Sequence, residues 1–172
     1  RVSVFLIPMM ICNMAAGQIA IQYQFKGDNF ATVTACATSA HAIGEAFRKI
    51  KFGFLDYCIT GGSEGTINEY AIAGFQNMGA LTEATDCDRL CIPFDKERSG
   101  FVMSEGAALL LLEEYEHAKA RGAKILGEIV GYGATDDAHH ITGPDPNGEG
   151  AAHAMMNAMA EAGIRPEQVG YI

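Results

Sequence analysis

Residues 31–60 read as strand, helix and strand in quick succession, and that order restricts the fold more than any figure of composition. Residues 31–35 (ATVTA) form a short buried strand, residues 38–51 a helix closed by Gly53, and residues 55–60 a second buried strand. Two strands joined through a helix imply parallel pairing by a right-handed crossover. An α/β fold is therefore expected. Cys36 stands where the first strand meets the helix. At that position the unpaired N–H groups and the positive end of the helix dipole favour thiolate over thiol, and free amides are available to an oxyanion. This is chemistry suited to acyl transfer. A small buried hydrophobe is the plain alternative for a lone cysteine.

Elsewhere, residues 8–25 carry apolar side chains at helical spacing, and residues 27–29 (GDN) stop them. Residues 61–65 (GGSEG) lack both the Gly-Lys-Ser/Thr ending of a phosphate loop and a dinucleotide fingerprint, so their glycines suit a close backbone approach. Residues 67–81 give a broken helical pattern, 106–113 a strand, 114–121 a short charged helix and 125–132 a half-buried strand. Residues 133–148, rich in Gly, Pro, Asp and His, form a loop long enough to be functional or mobile. A helix over 150–162 ends at Gly163, with Pro166 beyond it, and residues 169–172 begin another buried strand. The acidic group Glu113, Glu114 and Glu116 reads as a solvated helix start.

Composition excludes more than it assigns. A net charge of −9 argues against general nucleic-acid binding, which needs a basic face. The five cysteines include no Cys-x-x-Cys pair, and Cys87 and Cys91 have no second Cys/His pair at zinc-ligand spacing. Reduced thiols, and with them a cytoplasmic setting, are the default. Neither a signal peptide nor an apolar run long enough for a bilayer is visible.

The segment 34–46 (TACATSAHAIGEA) closely resembles the nucleophile segment of β-ketoacyl-acyl-carrier-protein synthases, and most closely the type II elongation condensing enzymes of the thiolase superfamily. Residues 56–64 (DYCITGGSE), Gly74-Phe75, 93–106 (PFDKERSGFVMSEG), 111–122 (LLEEYEHAKARG) and 137–144 (DAHHITGP) follow in that family's order and spacing. The resemblance implies a thiolase-like layered α/β fold, α-β-α-β-α in the full enzyme. Residues 1–172 would be a central part of it, the end of the N-terminal half and the start of the C-terminal half, with no separate second domain. It implies an acyltransferase of fatty-acid elongation, with acyl carrier protein and acyl and malonyl thioesters as partners, no cofactor, and a homodimer in the full enzyme.

Carried over residue by residue, the resemblance makes Cys36 the acyl acceptor. Phe75, Ala71 and Ala35 would flank the acyl channel, and Met10 and Ile11 would reach the partner's acyl pocket. Asp137, His140 and Thr142 would belong to a gating loop, and Arg1 would dock the carrier protein. Gly79 stands where comparable synthases often carry a docking arginine, a departure from the pattern. The family's two catalytic histidines lie in segments not found here, so these 172 residues alone are expected to accept an acyl group at most. His139 and His140 do not replace them; adjacent histidines on a polar loop are more often solvated. His41 reads as structural, and His117 and His153 as surface or packing residues. A polyketide ketosynthase, another thiolase-fold enzyme and a non-catalytic scaffold partner are the rival readings. Cys36 argues against the last.

Overall fold

The computed structural model describes residues 2–172. Among the described residues the order is α1 (Leu6–Met10), α2 (Met14–Tyr23), α3 (Thr38–Lys51), β1 (Tyr57–Glu64), α4 (Glu69–Asn77), β2 (Gly106–Glu113), α5 (Tyr115–Ala120) and α6 (Glu149–Ala162). Short 3-10 turns occupy Ala35–Ala37, Cys87–Arg89 and Pro166–Gln168. The chain divides into two compact units, one made of the residues up to 61 together with 110–172, the other of residues 62–109.

In the first unit α3 has the bounds its sequence predicts and buries Gly44, Ala46 and Phe47. Tyr132 lies against it. A methyl group at Gly44 would overlap the Tyr132 ring, the Arg48 guanidinium carbon stands 5.0 Å from the ring centre, and His41 meets the ring edge-on at 6.4 Å. These contacts give His41 the structural role its sequence position suggests. From α6, Glu161 accepts the Tyr132 N–H at 2.9 Å and pairs with Lys51 at 3.0 Å. The Lys51 ammonium, helped by that N–H, holds the Glu161 carboxyl below the usual carboxylate range. Gly131 and Gly133 let the backbone pass close to α6, since a Cβ at either would collide with the Ala158 or Ala154 carbonyl. Gly163, at φ 68°, ends α6 as expected.

Corrections follow from where the backbone finds hydrogen bonds. Residues 8–25 are not one helix: Ile11 leaves helical space at φ −71°, ψ 125°, and the Met14 N–H returns to the Ile11 carbonyl at 3.1 Å. Apolar periodicity runs across that break because both helices are apolar on several sides, so it cannot reveal the break. Residues 31–35 are not a buried strand. Val33 is 72% exposed, and the Thr34 N–H goes to a side chain, Thr38 Oγ1, instead of a neighbouring strand. Nor do residues 125–132 or 169–172 join a ladder among the described residues; Leu126 and Tyr171 are exposed. A strand needs a partner edge, which periodicity alone does not supply.

β1 pairs instead with β2. The Glu114 N–H donates to the Asp56 carbonyl at 2.8 Å, so the start of β1 lies beside the end of β2, an antiparallel arrangement in place of the expected parallel one. β1 also continues through Gly61 and Gly62 to Glu64, past the end at residue 60 that the sequence suggests. Glu113, at the end of β2, is not solvated. Its side chain is 9% exposed, Arg121 grips both carboxylate oxygens, at 2.7 Å from Nε and 2.5 Å from the terminal nitrogen, and His117 Nδ1 lies 2.5 Å away. The Arg121 hydrogen bonds, with His117 beside them, hold the carboxyl down at about 2. Glu114 caps α5 by accepting the His117 N–H at 2.7 Å.

In the second unit, Asn68 caps α4 by accepting the Tyr70 and Ala71 N–H groups, each at 3.1 Å. Leu81 and Phe101 form a parallel bridge, flanked by Thr82 N–H to Phe101 carbonyl and Phe101 N–H to Ala80 carbonyl, both 3.0 Å. Gly100, at φ 148°, makes that approach possible, because a Cβ there would meet the Leu81 backbone.

Candidate active site

Cys36 occupies the middle of the 3-10 turn Ala35–Ala37, which runs directly into α3. The turn begins at Ala35 with φ 50°, a left-handed conformation that costs an alanine roughly 1–2 kcal/mol. Hydrogen bonds around it hold that shape. The Ala37 N–H donates to the Thr34 carbonyl at 3.1 Å and the Thr38 N–H to the Ala35 carbonyl. Two hydroxyls complete the clamp: Thr38 Oγ1 accepts the Thr34 N–H at 2.8 Å, and Thr32 Oγ1 donates to the Thr38 carbonyl at 3.0 Å. Cys36 is left solvent-exposed, and its own N–H makes no hydrogen bond among the described residues. An exposed sulfur beside a free amide at the start of a fourteen-residue helix can attack a thioester carbonyl and meet the oxygen that becomes negative. Sequence reasoning finds Cys36 but misses the clamp: Thr32 and Thr34 read as part of a strand and Thr38 as an ordinary helix start.

The loop histidine is also placed by its neighbours. His140 Nδ1 accepts the Thr142 and Gly143 N–H groups at 3.2 and 3.0 Å. Asp137 Oδ2 accepts the Asp145 N–H at 2.9 Å, while its other oxygen sits so close over Gly150 that a side chain there would collide with it. Asp145 in turn receives the Asn147 and Glu149 N–H groups at 3.1 and 3.2 Å. Asp137 and His140 thus each hold backbone N–H groups of this loop, and no hydrogen bond links Asp137 to His140 or Thr142 among the described residues.

Phe75 and Ala71 lie one turn apart on α4, and Phe75 meets Phe101 edge-on with ring centres 5.4 Å apart. Met10 closes α1 and Ile11 follows it, both exposed. The apolar recess of 480 Å³ at α1 and α2 is lined by Phe5, Pro8, Met9 and Met14, not by Met10 or Ile11. A second recess of 330 Å³ is lined by Thr32, His41, Glu45, Arg48, Tyr132 and Ala134. Cys36 lines neither. Arg1 lies outside the described residues. Among those residues no Cys/His/Asp/Glu group is arranged to hold a metal ion, and no helix is long and apolar enough to cross a membrane.

Comparison with known proteins decides the family. Residues 1–118 match the family described as Beta-ketoacyl synthase, N-terminal domain, and residues 126–172 match Beta-ketoacyl synthase, C-terminal domain. The chain belongs to the β-ketoacyl synthases. It is 53% identical over all 172 residues to 3-oxoacyl-[acyl-carrier-protein] synthase 2 of Staphylococcus aureus, covering 43% of that protein. It is 47% identical to the mitochondrial 3-oxoacyl-[acyl-carrier-protein] synthase of Arabidopsis thaliana, covering 38% of it. The chain therefore spans about two-fifths of the length of these relatives. Among solved structures, a type II polyketide ketosynthase complexed with its acyl-carrier protein superposes with a TM-score of 0.89 at 35% identity, over 92% of this chain and 40% of the other. A β-ketoacyl synthase from Burkholderia phymatum gives 0.83 at 38% identity, over 92% and 38%. These neighbours are ketosynthases of thiolase-like fold, the class expected from the nucleophile segment.

Proposed function

We propose that this β-ketoacyl synthase chain carries the acyl-accepting nucleophile of a fatty-acid elongation enzyme. Cys36 sulfur attacks the carbonyl of an acyl group borne on acyl carrier protein. A new carbon–sulfur bond forms, the carrier's thioester bond breaks, and the carrier leaves as its thiol after taking up a proton. The Cys36 N–H receives the carbonyl oxygen as it becomes negative. In the complete enzyme, malonyl carrier then loses carbon dioxide and its carbanion attacks the acyl carbonyl on Cys36; a carbon–carbon bond forms, the Cys36 thioester bond breaks, and β-ketoacyl carrier and free Cys36 thiolate result. Ala35, Ala71 and Phe75 bound the acyl chain; Met10 and Ile11 serve the partner's pocket in a cytoplasmic homodimer; Asp137, His140 and Thr142 gate access; Arg1 docks the carrier. No cofactor takes part.

The observation that carries this reading is the exposed Cys36 on the 3-10 turn at the start of α3, within a chain 53% identical to a 3-oxoacyl-carrier synthase. A polyketide ketosynthase is the second reading, favoured by the 0.89 superposition but at the lower identity of 35%. Incubation of the full protein with saturated acyl-carrier thioesters and with polyketide thioesters, followed by mass mapping, tests both. An acyl adduct on Cys36 from the saturated series, absent in Cys36→Ser, is expected. An adduct only from polyketide thioesters would favour the second reading, and none at Cys36 would overturn both.

A further inference from the structure

We infer that Thr38 is a positioning residue for Cys36, acting through its hydroxyl; the inference rests on the nucleophile reading above. Three observations converge on it. Ala35 is held at φ 50°, a conformation that an alanine abandons unless its surroundings impose it. The Thr34 N–H, immediately before Ala35, has Thr38 Oγ1 as its acceptor at 2.8 Å. The Thr38 N–H, just after the turn, returns to the Ala35 carbonyl. One residue therefore closes the turn from both sides, by side chain and by backbone. Thr32 supports it from behind by donating to the Thr38 carbonyl at 3.0 Å.

The consequence concerns Cys36 directly. Its sulfur and its free N–H share the turn, so their common direction depends on the dihedral angles of Ala35. Without the Thr38 hydroxyl the Thr34 N–H loses its acceptor, water replaces it, and Ala35 is released toward the negative φ an alanine prefers. Cys36 then turns away from the geometry that offers sulfur and amide to the same carbonyl. Serine at position 38 keeps the hydroxyl, while valine keeps the branched shape and removes it.

The experiment compares the protein with Thr38→Ser and Thr38→Val by limiting iodoacetamide, reading the alkylation rate at each cysteine by mass mapping, with Cys12 as the internal reference. In the unaltered protein Cys36 is expected to outpace Cys12, Cys87 and Cys91. Thr38→Val is expected to slow Cys36 by about tenfold, the scale of one net hydrogen bond, and to leave Cys12 unchanged. Thr38→Ser is expected to stay within about twofold. General loosening of the fold would raise the rates at several cysteines together, and that outcome, or an unchanged Cys36 in Thr38→Val, overturns the positioning role. If Cys36 is slow in the unaltered protein, the nucleophile reading fails instead.

Discussion

Gly44 and Tyr132 occupy one space: the absent side chain of the first is filled by the ring of the second. Alanine favours a helix interior over glycine by about 1 kcal/mol, but overpacking typically costs about 1–3 kcal/mol. Overpacking wins here because Arg48 and His41 both bear on the ring and leave it little room to yield. Gly44→Ala is therefore expected to lower the unfolding temperature, and adding Tyr132→Ala is expected to recover part of the loss. Additive losses in the double variant would show that the two sites do not compete for space.

The Glu113–Arg121 pair makes stability depend on acid. A carboxyl held at about 2, below its ordinary 4.5, contributes stability above 4.5 that is lost as pH falls toward 2. Denaturant unfolding of the protein and of Glu113→Gln across that window is expected to converge as pH falls, with the protein the more stable near neutrality. A constant gap between the two would remove the pair from the account.

Cys58 is expected to be the slowest of the five cysteines toward iodoacetamide. It alone is partly buried, and burial pushes its thiol up, with Lys49 nearby opposing the shift. Alkylation of Cys58 ahead of Cys12 in the folded protein would contradict this.

Enlarging Ala71 tests the acyl-channel role proposed for α4. Ala71→Phe leaves the backbone N–H that Asn68 caps in place, so the helix start is retained. The longest acyl group accepted by the full enzyme is expected to shorten. An unchanged chain-length profile would withdraw Ala71 and Phe75 from the channel while leaving Cys36 as nucleophile.

Local signals were legible where a residue satisfies its own neighbourhood. The bounds of α3 and β2, and the Gly163 end of α6, depend on nearby periodicity and caps, and sequence reads them well. Ladder partners were not legible: residues 31–35 and 125–132 have strand composition, yet pairing depends on an edge elsewhere, and β1 found β2 instead. At the site, Cys36 was visible from its place before a helix and from the surrounding motif. The left-handed Ala35 was not, because alanine carries no mark of positive φ. Nor was the burial of Glu113, whose partner Arg121 lies eight residues away across a strand end and a helix.

The placing of Tyr132 also gives the molecule an optical probe. The chain has six tyrosines and no tryptophan, so its near-ultraviolet absorbance comes chiefly from phenol groups. Burial raises the Tyr132 phenol above its ordinary value, with Glu45 acting the same way and Arg48 against it. In an alkaline spectrophotometric titration the Tyr132 phenol therefore ionises late, and Tyr132→Phe removes that component. Because the shift stabilises the folded form below the ordinary phenol value and fades as pH rises through the raised one, that late component reports by colour whether the ring is still seated on α3.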